Sequence, residues 1–256
     1  NPYFTRVLHV LPMRSIIDDL YARIKEALPQ EMWPHLARQY MLQPGSPLFA
    51  KRSVITTLDT FLLNFFKLPA HEVWKAFRYD TAHLEFPRAM VYTALVVFDE
   101  FHLFSGLGTL HEETKSLGAV TAAIRALALA EVPILIMTAT MPGSLKAFLK
   151  EELEDIGVKL EEIVYQKGRD EEFDKVMEKK RRVLRKFNGD PSDLTRKLEG
   201  RRVAIVFNSV RRAIDCFNKL RERGAVMLHG RLPEIERDGV LEKVRQEDEI
   251  LLVATQ

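Results

Sequence analysis

The feature that most constrains the fold is a set of short, continuously apolar runs spaced along the chain. Four of them read TRVLHVLP, RSVITT, ALVVFD and VPILIMTAT. A strand with one solvated face alternates apolar and polar residues, whereas a strand in a parallel sheet covered on both faces is apolar throughout. The runs therefore predict parallel strands that are buried on both faces.

Each run is followed by a loop and then by a segment with helical periodicity. SIIDDLYARIKEAL follows the first run, with Ser15 predicted as its N-cap and Asp18 and Asp19 in its first turn. LDTFLLNFFK, HEETKSLGAVTAAIRALALA and PGSLKAFLKEEL follow the other three runs. Strands that alternate with helices predict βαβ units, so the expected fold class is α/β.

The alternation is interrupted once and then resumes. Between about residues 165 and 202, EEFDKVMEKKRRVLRKF has apolar residues at helical spacing and NGDPSD supplies turn residues. The strand pattern returns in RRVAIVFNS, AVMLHG and EILLVATQ. We therefore expect a first domain at residues 1–165, a linker at 166–175 and a second domain at 176–256. Residues 67–93 fit neither pattern and are expected to form a helical insertion.

Composition excludes several classes of protein. No apolar run approaches the roughly 20 residues that a membrane-spanning helix needs, so no membrane partner is expected. The single cysteine, Cys216, excludes an internal disulfide and fits a reducing, cytoplasmic location. The 38 basic and 36 acidic residues leave a net charge of +2, so local groups rather than the overall field would hold a polyanion.

An acid pair at the end of the third apolar run is the first functional signal. Asp99 and Glu100 follow this run, and ligands of open parallel sheets gather at the carboxyl ends of the strands. A strand-end Asp can hold the magnesium ion that bridges nucleotide phosphates, and a neighbouring Glu can orient or deprotonate a water. The alternative is that Asp99 caps a helix and Glu100 is solvated, and the acid pair alone does not decide between the two.

A histidine and two threonines add to this signal. His102 completes the sequence DEFH, and the next long apolar run ends in TAT, Thr138 to Thr140. The combination resembles motifs II and III of superfamily 2 helicases, the Asp-Glu-x-His box and the Ser/Thr-Ala-Thr box. Adjacent strand ends would bring the threonine hydroxyls within hydrogen-bonding reach of the box. The alternative is that the threonines cap the following helix and that His102 packs in the loop.

Shorter motifs in the order of the same superfamily extend the resemblance over nearly all of the chain. LPMRS resembles motif Ia, and ITTLDTF resembles motif Ib, where donors at a helix N-terminus can bind phosphate. VFNSV resembles motif IV, LHGRLP the loop after the next strand, and VATQ the start of motif V. Through these motifs the resemblance assigns nucleic-acid binding to Pro12, Arg14, Thr56, Thr57, Asn208, Ser209, His229, Arg231 and Thr255.

Within the superfamily, the motifs are most similar to the helicase subunit of CRISPR type I interference. This resemblance implies two tandem RecA-like domains with parallel sheets, the second incomplete, and an ATP hydrolase coupled to DNA unwinding. Asp99 would hold Mg²⁺, Glu100 would orient the attacking water, and His102, Thr138 and Thr140 would couple hydrolysis to domain closure.

The resemblance also implies partners and alternatives. The implied partners are single-stranded DNA, a CRISPR RNA-guided effector complex and an HD nuclease domain or subunit, all in a prokaryotic cytoplasm. One alternative is a general superfamily 2 RNA or DNA helicase. Another is a helicase-like scaffold without catalysis.

Two motifs of the superfamily are missing from the sequence. The phosphate loop G-x-x-x-x-G-K-[ST] is absent, since no Gly-Lys dipeptide occurs, and motif VI with its arginine is absent too. In the order of the family they would precede Asn1 and follow Gln256. We therefore expect an internal segment of a longer helicase, and negligible ATP hydrolysis by the segment alone.

Two further groups of residues have competing interpretations. The basic stretch at Glu178–Lys186 is expected to be the solvated face of an amphipathic helix rather than a DNA-binding stripe. A set of aromatic residues could stack on nucleic-acid bases. We instead expect them to pack the insertion against the first domain: Phe61, Phe65, Phe66, Trp74, Phe77 and Tyr79.

Overall fold

The chain divides into two compact units, residues 1–164 and 165–256. The computed structural model describes residues 4–41, 43–105, 110–179, 189–190, 193 and 200–255. Each unit has its own sheet and its own apolar core. Within these described residues, no helix combines the length and the apolar character needed to cross a membrane.

The first unit is built on a six-stranded sheet with the order β3-β2-β4-β1-β5-β6. Every neighbouring pair is parallel except β2 with β3. The strands are β1 (Arg6–Leu11), β2 (Leu36–Tyr40), β3 (Gln43–Pro44), β4 (Ser53–Thr57), β5 (Ala94–Phe98) and β6 (Ile134–Ile136). The helices are α1 (Arg14–Ala27), α2 (Leu58–Phe65), α3 (Ala70–Tyr79), α4 (Phe86–Tyr92), α5 (Leu110–Leu129) and α6 (Gly143–Glu154). Short 3₁₀ helices occupy Gln30–His35, Pro47–Phe49 and Phe101–Ser105.

Helices cover both faces of the inner strands of this sheet, as the continuously apolar runs predict. Leu8 and Val10 of β1 lie in the larger core, which includes residues of α2, α4, α5 and α6. Leu11 of β1 and Ile55 of β4 lie in a second core, which they share with α1. Burial of apolar surface on both faces is the main favourable term in the stability of such a unit.

Strand β2 is not predicted by the apolar runs, because its sequence LARQY contains two polar side chains. Both are satisfied inside the fold. Arg38 forms an ion pair with Asp18 of α1, and the side-chain oxygen of Gln39 accepts the backbone N–H of Ser46 at 3.0 Å. Partners of this kind allow a strand with polar residues to be buried.

The start of α1 differs from the prediction. The helix begins at Arg14 with Met13 in the N-cap position, and its first turn contains no acidic residue. The predictions that Ser15 is the N-cap and that Asp18 and Asp19 lie in the first turn are therefore wrong. The physical reason is that the helix starts earlier, which moves both acids into its second turn.

The insertion at residues 67–93 forms α3 and α4, and α3 buries a glutamate. Glu72 is only 5% exposed, and its carboxylate accepts bonds from Lys75 Nζ at 2.6 Å and from the backbone N–H of His83 at 3.1 Å. The hydrogen bond from Lys75 and then the one from His83 lower the pKa of Glu72, although burial opposes them.

The aromatic residues of this region divide into two groups. Phe61 and Phe65 are buried, which confirms the packing prediction for them. The prediction is wrong for the other four, whose exposed fractions are 44% for Phe66, 49% for Trp74, 88% for Phe77 and 57% for Tyr79. For Trp74, Phe77 and Tyr79 the reason is the orientation of α3, which buries Glu72 rather than these aromatic residues. Phe66 lies outside α3, at the C-cap of α2, where its ring packs edge-to-face with Phe65 at 5.3 Å.

The second unit contains a three-stranded parallel sheet with the order β7-β9-β8. Its strands are β7 (Arg202–Phe207), β8 (Val226–Leu228) and β9 (Ile250–Thr255). The helices with described bounds in this unit are α7 (Glu171–Lys179), α8 (Val210–Leu220) and α9 (Glu234–Gln246), with a 3₁₀ helix at Arg221–Arg223. Residues 171–175 of the expected linker thus belong to α7, and residues 180–186 of the basic stretch lie outside the described residues.

Only one face of β7 is covered by the described part of the chain. Helix α8 packs Ala213, Cys216 and Leu220 against Val253 of β9. On the opposite face of β7, Val206 is 59% exposed. The expectation of strands buried on both faces therefore holds for β1, β4 and β5 of the first unit. It does not hold for the edge strand β6, where Leu135 is 40% exposed, or for β7, because no described helix lies over its second face.

Candidate functional site

The carboxyl ends of four parallel strands meet at one edge of the first sheet. The register pairs Leu11 with Thr57, Val10 with Phe98, and Phe98 with Ile136. The loops that follow β1, β4, β5 and β6 therefore begin side by side, at the edge where open α/β sheets bind ligands. These loops contain many of the predicted site residues: Pro12, Arg14, Asp99, Glu100, His102 and Thr138.

A cluster of phenylalanines anchors the loop that contains the acid pair. Phe98 packs edge-to-face with Phe61, Phe101 and Phe104, with ring centroids 5.4, 6.5 and 6.4 Å away. All four rings are at most 2% exposed. Because every third residue of FDEFHLF is a phenylalanine that packs into the core, Asp99, Glu100 and His102 between them remain at the surface of the loop. Those side chains are partly exposed: Asp99 at 22%, Glu100 at 37% and His102 at 25%.

The Asp99 carboxylate is fixed by two donors. Its Oδ1 accepts the backbone N–H of Glu100 at 2.8 Å, and its Oδ2 lies 3.0 Å from Nε2 of His9. The Asp99 backbone N–H donates to the carbonyl of Val10 at 3.0 Å, which continues the pairing of β5 with β1. Glu100 then adopts a φ of 50°, a left-handed conformation that costs a non-glycine residue about 1 kcal/mol or more.

The acid pair is linked to the loop after β6 through His102. Its Nδ1 lies 2.7 Å from the Thr138 hydroxyl and 3.4 Å from a carboxylate oxygen of Glu100. The Thr138 hydroxyl donates its proton to the carbonyl of Thr140 at 2.8 Å, so it accepts from a protonated Nδ1 of His102. The predicted proximity of Thr138 to the box is therefore confirmed.

The alternative role of the threonines is not found. Pro142 occupies the N-cap of α6, and no side chain caps this helix. Thr140 is exposed and meets Thr138 through its backbone carbonyl and N–H groups rather than through its hydroxyl. Of the two threonines, only Thr138 therefore contacts the Asp-Glu-x-His box with its side chain.

Two of the residues predicted to bind nucleic acid face the interior. The Thr56 side chain is fully buried, and its hydroxyl donates to the carbonyl of Gln39 at 2.7 Å. Thr57 is 6% exposed and is the N-cap of α2, where its hydroxyl accepts the N–H of Thr60 at 3.3 Å. The prediction that these two hydroxyls contact nucleic acid is therefore wrong, because both are committed to bonds within the protein.

The other two predicted residues of this edge are accessible. Pro12 is half-buried directly after β1, and Arg14 is exposed as the first residue of α1. The Arg14 guanidinium forms no ion pair within the described part of the chain. A cation beside the unsatisfied N–H groups of a helix N-terminus suits a phosphate ligand.

The second sheet gathers its predicted residues at one edge in the same way. The register pairs Phe207 with Thr255 and Leu228 with Ala254, so β7, β8 and β9 end together. The loops at this edge contain Asn208, Ser209, His229 and Arg231, and Thr255 is the last residue of β9; all five are exposed or half-buried. Ser209 is the N-cap of α8 but forms no capping bond, so its hydroxyl is not committed there.

The loop after β8 forms a tight turn. Nδ1 of His229 accepts the backbone N–H of Arg231 at 3.1 Å, which places the imidazole proton on Nε2. Arg231 is exposed. The turn therefore presents an imidazole N–H and a guanidinium to solvent at the edge of the second sheet.

The predictions overlooked His9, which contacts Asp99. The signal is an ionisable residue, His9, between the apolar residues Leu8 and Val10 of the run RVLHVL. A polar group in a buried strand needs a partner, and in this strand the partner is the carboxylate that the acid box supplies.

The carboxylates suit a magnesium ion. Asp99 and Glu100 offer hard oxygen ligands, which Mg²⁺ prefers. Across the described ranges, no group of three or more His, Cys, Asp or Glu side chains could hold a metal ion. A magnesium site of a nucleotide enzyme needs only one or two carboxylates, because phosphate oxygens and waters supply the remaining ligands. The donor set therefore fits magnesium bound together with nucleotide.

The single cysteine is not a second catalytic candidate. Cys216 is 7% exposed in the core of the second unit. Burial, with a smaller effect of Asp190, raises the pKa of its thiol. A raised pKa suppresses the thiolate, which is the reactive form.

No protein-family model and no curated protein matches the sequence. Several solved structures match the fold. T. fusca Cas3 in complex with AMPPNP superimposes with a TM-score of 0.59 at 16% identity, over 98% of this chain and 34% of that protein. The DEAD-box helicase Mss116 bound to ssRNA and UDP-BeF gives a TM-score of 0.61 at 12% identity, over 99% of this chain and 51% of that protein.

A CRISPR RNA-guided surveillance complex in a pre-nicking state contains a chain that matches with a TM-score of 0.54 at 15% identity, over 98% of this chain and 32% of that one. At these identities the matches establish the fold, which is that of two RecA-like domains. The chain spans between about a third and a half of the length of these proteins.

Proposed function

We propose that this chain, which has the fold of the superfamily 2 helicases, is the core of an ATP-dependent nucleic-acid helicase or translocase. The observation that carries the proposal is the linked set at the end of β5. Asp99 and Glu100 lie at the carboxyl edge of a central parallel strand, and His102 joins them to Thr138 on the loop after β6. In a structural scaffold nothing would require two carboxylates and a bonded His–Thr pair at this edge.

The two carboxylates have separate roles in the proposed reaction. Asp99 would hold Mg²⁺ through water, and the chemistry that a bound ion would supply is neutralisation of phosphate charge. Glu100 lies beside it and orients or deprotonates the attacking water. The left-handed backbone at Glu100 fits this role, because strained conformations that a fold maintains cluster at functional sites.

The accessible residues at each sheet edge are the proposed nucleic-acid contacts of that unit. In the first unit they are Pro12 and Arg14, and in the second unit Asn208, Ser209, His229, Arg231 and Thr255. Arginine and helix N-termini bind phosphate rather than base edges. Binding is therefore expected to be tolerant of base sequence and sensitive to salt.

The specific role that we propose is DNA unwinding in CRISPR type I interference, in a prokaryotic cytoplasm. It is supported by the motifs PMRSIID, VITTLDTF, DEFHLF and LHGRLPEIER, and by the structural match to T. fusca Cas3. Single-stranded DNA, an RNA-guided effector complex and an HD nuclease would be the partners.

A general superfamily 2 RNA or DNA helicase is the second candidate, because Mss116, a DEAD-box helicase bound to ssRNA, shares the fold to a similar extent. The two candidates predict different substrates. The CRISPR role requires unwinding of DNA, whereas an RNA helicase would unwind RNA and leave the matched DNA duplex intact.

ATP hydrolysis by the whole protein, with and without single-stranded DNA or RNA, tests the proposal. We expect hydrolysis that nucleic acid stimulates, and unwinding of a DNA duplex in preference to an RNA duplex of the same sequence. The 256-residue chain alone is expected to hydrolyse ATP negligibly, since it contains no G-x-x-x-x-G-K-[ST] sequence. Nucleic-acid binding by the whole protein without any hydrolysis would instead favour the scaffold.

A further inference from the structure

His9 lies in the middle of β1, and its side chain contacts the carboxylate of Asp99. Its Nε2 is 3.0 Å from Oδ2 of Asp99, and the two side chains are only 17% and 22% exposed. No motif of the sequence includes His9, and no role in the proposed reaction has yet been given to it.

The contact follows from the register of the sheet. β1 pairs with β5 in parallel, with His9 opposite Val97. Side chains two residues apart on a strand point to the same face. Asp99 therefore lies on the same face as His9, opposite to the face on which Leu8, Val10 and Phe98 enter the larger core. Both residues are held by regular strand pairing, because the Asp99 N–H also bonds the carbonyl of Val10.

The chemistry of the pair fixes the direction of the hydrogen bond. An ionised carboxylate only accepts, so the proton lies on Nε2 of His9, which donates to Oδ2. Oδ1 receives the N–H of Glu100. With one donor on each oxygen, the plane of the carboxylate is fixed, while each oxygen keeps a second lone pair that can accept a bond from metal-bound water.

We propose that His9 is a positioning residue for the magnesium carboxylate: its Nε2–H holds Oδ2 of Asp99 from the neighbouring strand in the orientation that metal binding requires. This inference rests on the proposed function, because it assigns Asp99 to Mg²⁺. Groups that hydrogen-bond a metal-binding side chain in this way typically change metal affinity by about 10- to 100-fold when they are removed.

A purely structural role is the competing interpretation. In that case His9 would only join β1 to β5, and its removal would lower stability without changing metal binding in the folded protein. The two roles are separated by measuring metal affinity and thermal stability on the same variants.

The test uses the whole protein with Mn²⁺ as the probe for Mg²⁺ and AMPPNP as the nucleotide. Free Mn²⁺ is measured by electron paramagnetic resonance, and unfolding temperature is measured without metal or nucleotide. His9→Leu removes the donor, and His9→Asn keeps an amide that is too short to reach Oδ2. His9→Gln keeps an N–H at nearly the reach of Nε2. Asp99→Asn tests whether the carboxylate itself is needed for Mn²⁺ binding. His35→Leu, at an exposed position outside the site, is the control for replacing a histidine by leucine.

The proposal predicts that His9→Leu and His9→Asn weaken Mn²⁺ binding about tenfold and that His9→Gln restores it to within about threefold of the natural protein. Should His9→Leu fail to fold, His9→Asn and His9→Gln still give the comparison. The proposal is overturned if His9→Asn binds Mn²⁺ as well as the natural protein, or if His9→Gln is as impaired as His9→Asn.

The Asp99→Asn variant separates this failure from a failure of the proposed function. If Asp99→Asn loses Mn²⁺ affinity while both donor-lacking His9 variants retain it, only the role of His9 is wrong. If Asp99→Asn itself binds Mn²⁺ normally, Asp99 does not hold the metal, and both proposals fall.

Discussion

The Nδ1 atom of His102 lies 2.7 Å from the hydroxyl oxygen of Thr138, and this contact joins the loop after β5 to the loop after β6. The same hydroxyl donates to the carbonyl of Thr140. One side chain therefore connects the acid box with the turn of the neighbouring loop. A movement of Glu100, which lies 3.4 Å from the same nitrogen, would reach both loops.

Removing the Thr138 hydroxyl should uncouple hydrolysis from unwinding. Thr138→Val keeps the volume and removes the acceptor for His102. One lost hydrogen bond of about 1–1.5 kcal/mol corresponds to about a tenfold effect. We expect duplex unwinding by the whole protein to fall about tenfold while basal ATP hydrolysis changes less than about threefold.

Two variants control this experiment. Thr138→Ser keeps the hydroxyl and should unwind normally. Thr140→Val should also unwind normally, because Thr140 meets Thr138 only through its backbone. A loss in Thr140→Val as large as that in Thr138→Val would contradict the assignment of the coupling contact to the Thr138 hydroxyl.

Arg14 is expected to bind phosphate. Arg14→Gln should weaken the affinity for single-stranded DNA. It should also reduce the magnitude of the slope of log K against log salt concentration by about 0.7, which is the contribution of one phosphate contact. Binding titrations at several salt concentrations measure both quantities. Arg23 lies on the same helix with 70% of its side chain exposed, so Arg23→Gln is a matched control. Equal effects of the two substitutions would indicate a general charge effect rather than a contact at the sheet edge.

The buried carboxylate of Glu72 should stabilise the insertion in a pH-dependent way. Its pKa is lowered below the ordinary value of 4.5. A lowered pKa means that the stabilisation is present above that value and is lost as the pH falls through the lower value of the folded state. In Glu72→Gln, one of the two accepting oxygens is replaced by an amide NH₂, which is a donor. This NH₂ faces another donor, either Lys75 or the His83 N–H, so one hydrogen bond is lost at neutral pH.

Amide hydrogen exchange of His83 measures this effect locally. At neutral pH we expect exchange about tenfold faster in Glu72→Gln, as for loss of one charge-assisted bond. Toward the acid limit of folding, the difference should shrink as Glu72 becomes protonated in the natural protein. Glu85→Gln in the same insertion, where the side chain is 70% exposed, should leave His83 unchanged. A difference between Glu72→Gln and the natural chain that stays constant with pH would contradict the ionic role of Glu72.

Strands with mainly apolar residues that lie in a buried sheet could be predicted from the sequence. β1, β4, β5 and β6 consist mainly of apolar and β-branched residues, and β1, β4 and β5 are covered on both faces. β2 could not be predicted, because its burial depends on Asp18 and Ser46, which lie elsewhere in the chain. Strand propensity reports the local residues, whereas the partners of buried polar groups come from tertiary structure.

The candidate site also contains both contacts that could be predicted from the sequence and contacts that could not. The acid box and its contact with Thr138 could be predicted, because adjacent parallel strands bring their carboxyl ends together. The burial of Thr56 could not, since it depends on the position of Gln39 in the unpredicted strand β2. The contact of His9 with Asp99 requires the register of β1 against β5, and no local pattern contains that register.

The exposed aromatic residues of α3 have a similar explanation. A helix with Trp74 and Phe77 would ordinarily turn them inward. Glu72 lies on the other face of α3 and finds two donors there, so the helix buries its carboxylate and exposes its rings. Which face of α3 is buried therefore depends on the backbone N–H of His83, which lies eleven residues from Glu72 in the chain.

ATP hydrolysis by the Glu100→Gln form of the whole protein tests the proposed function most directly. The matched control is Glu131→Gln, since Glu131 is exposed, lies outside the site and has a similar left-handed backbone, with φ of 56° against 50° for Glu100. If Glu100 activates the attacking water, Glu100→Gln should bind ATP and Mg²⁺ normally and lose about 100-fold or more in hydrolysis rate, while Glu131→Gln stays unchanged. Hydrolysis by Glu100→Gln at the rate of the natural protein would contradict the assignment of the acid pair to catalysis.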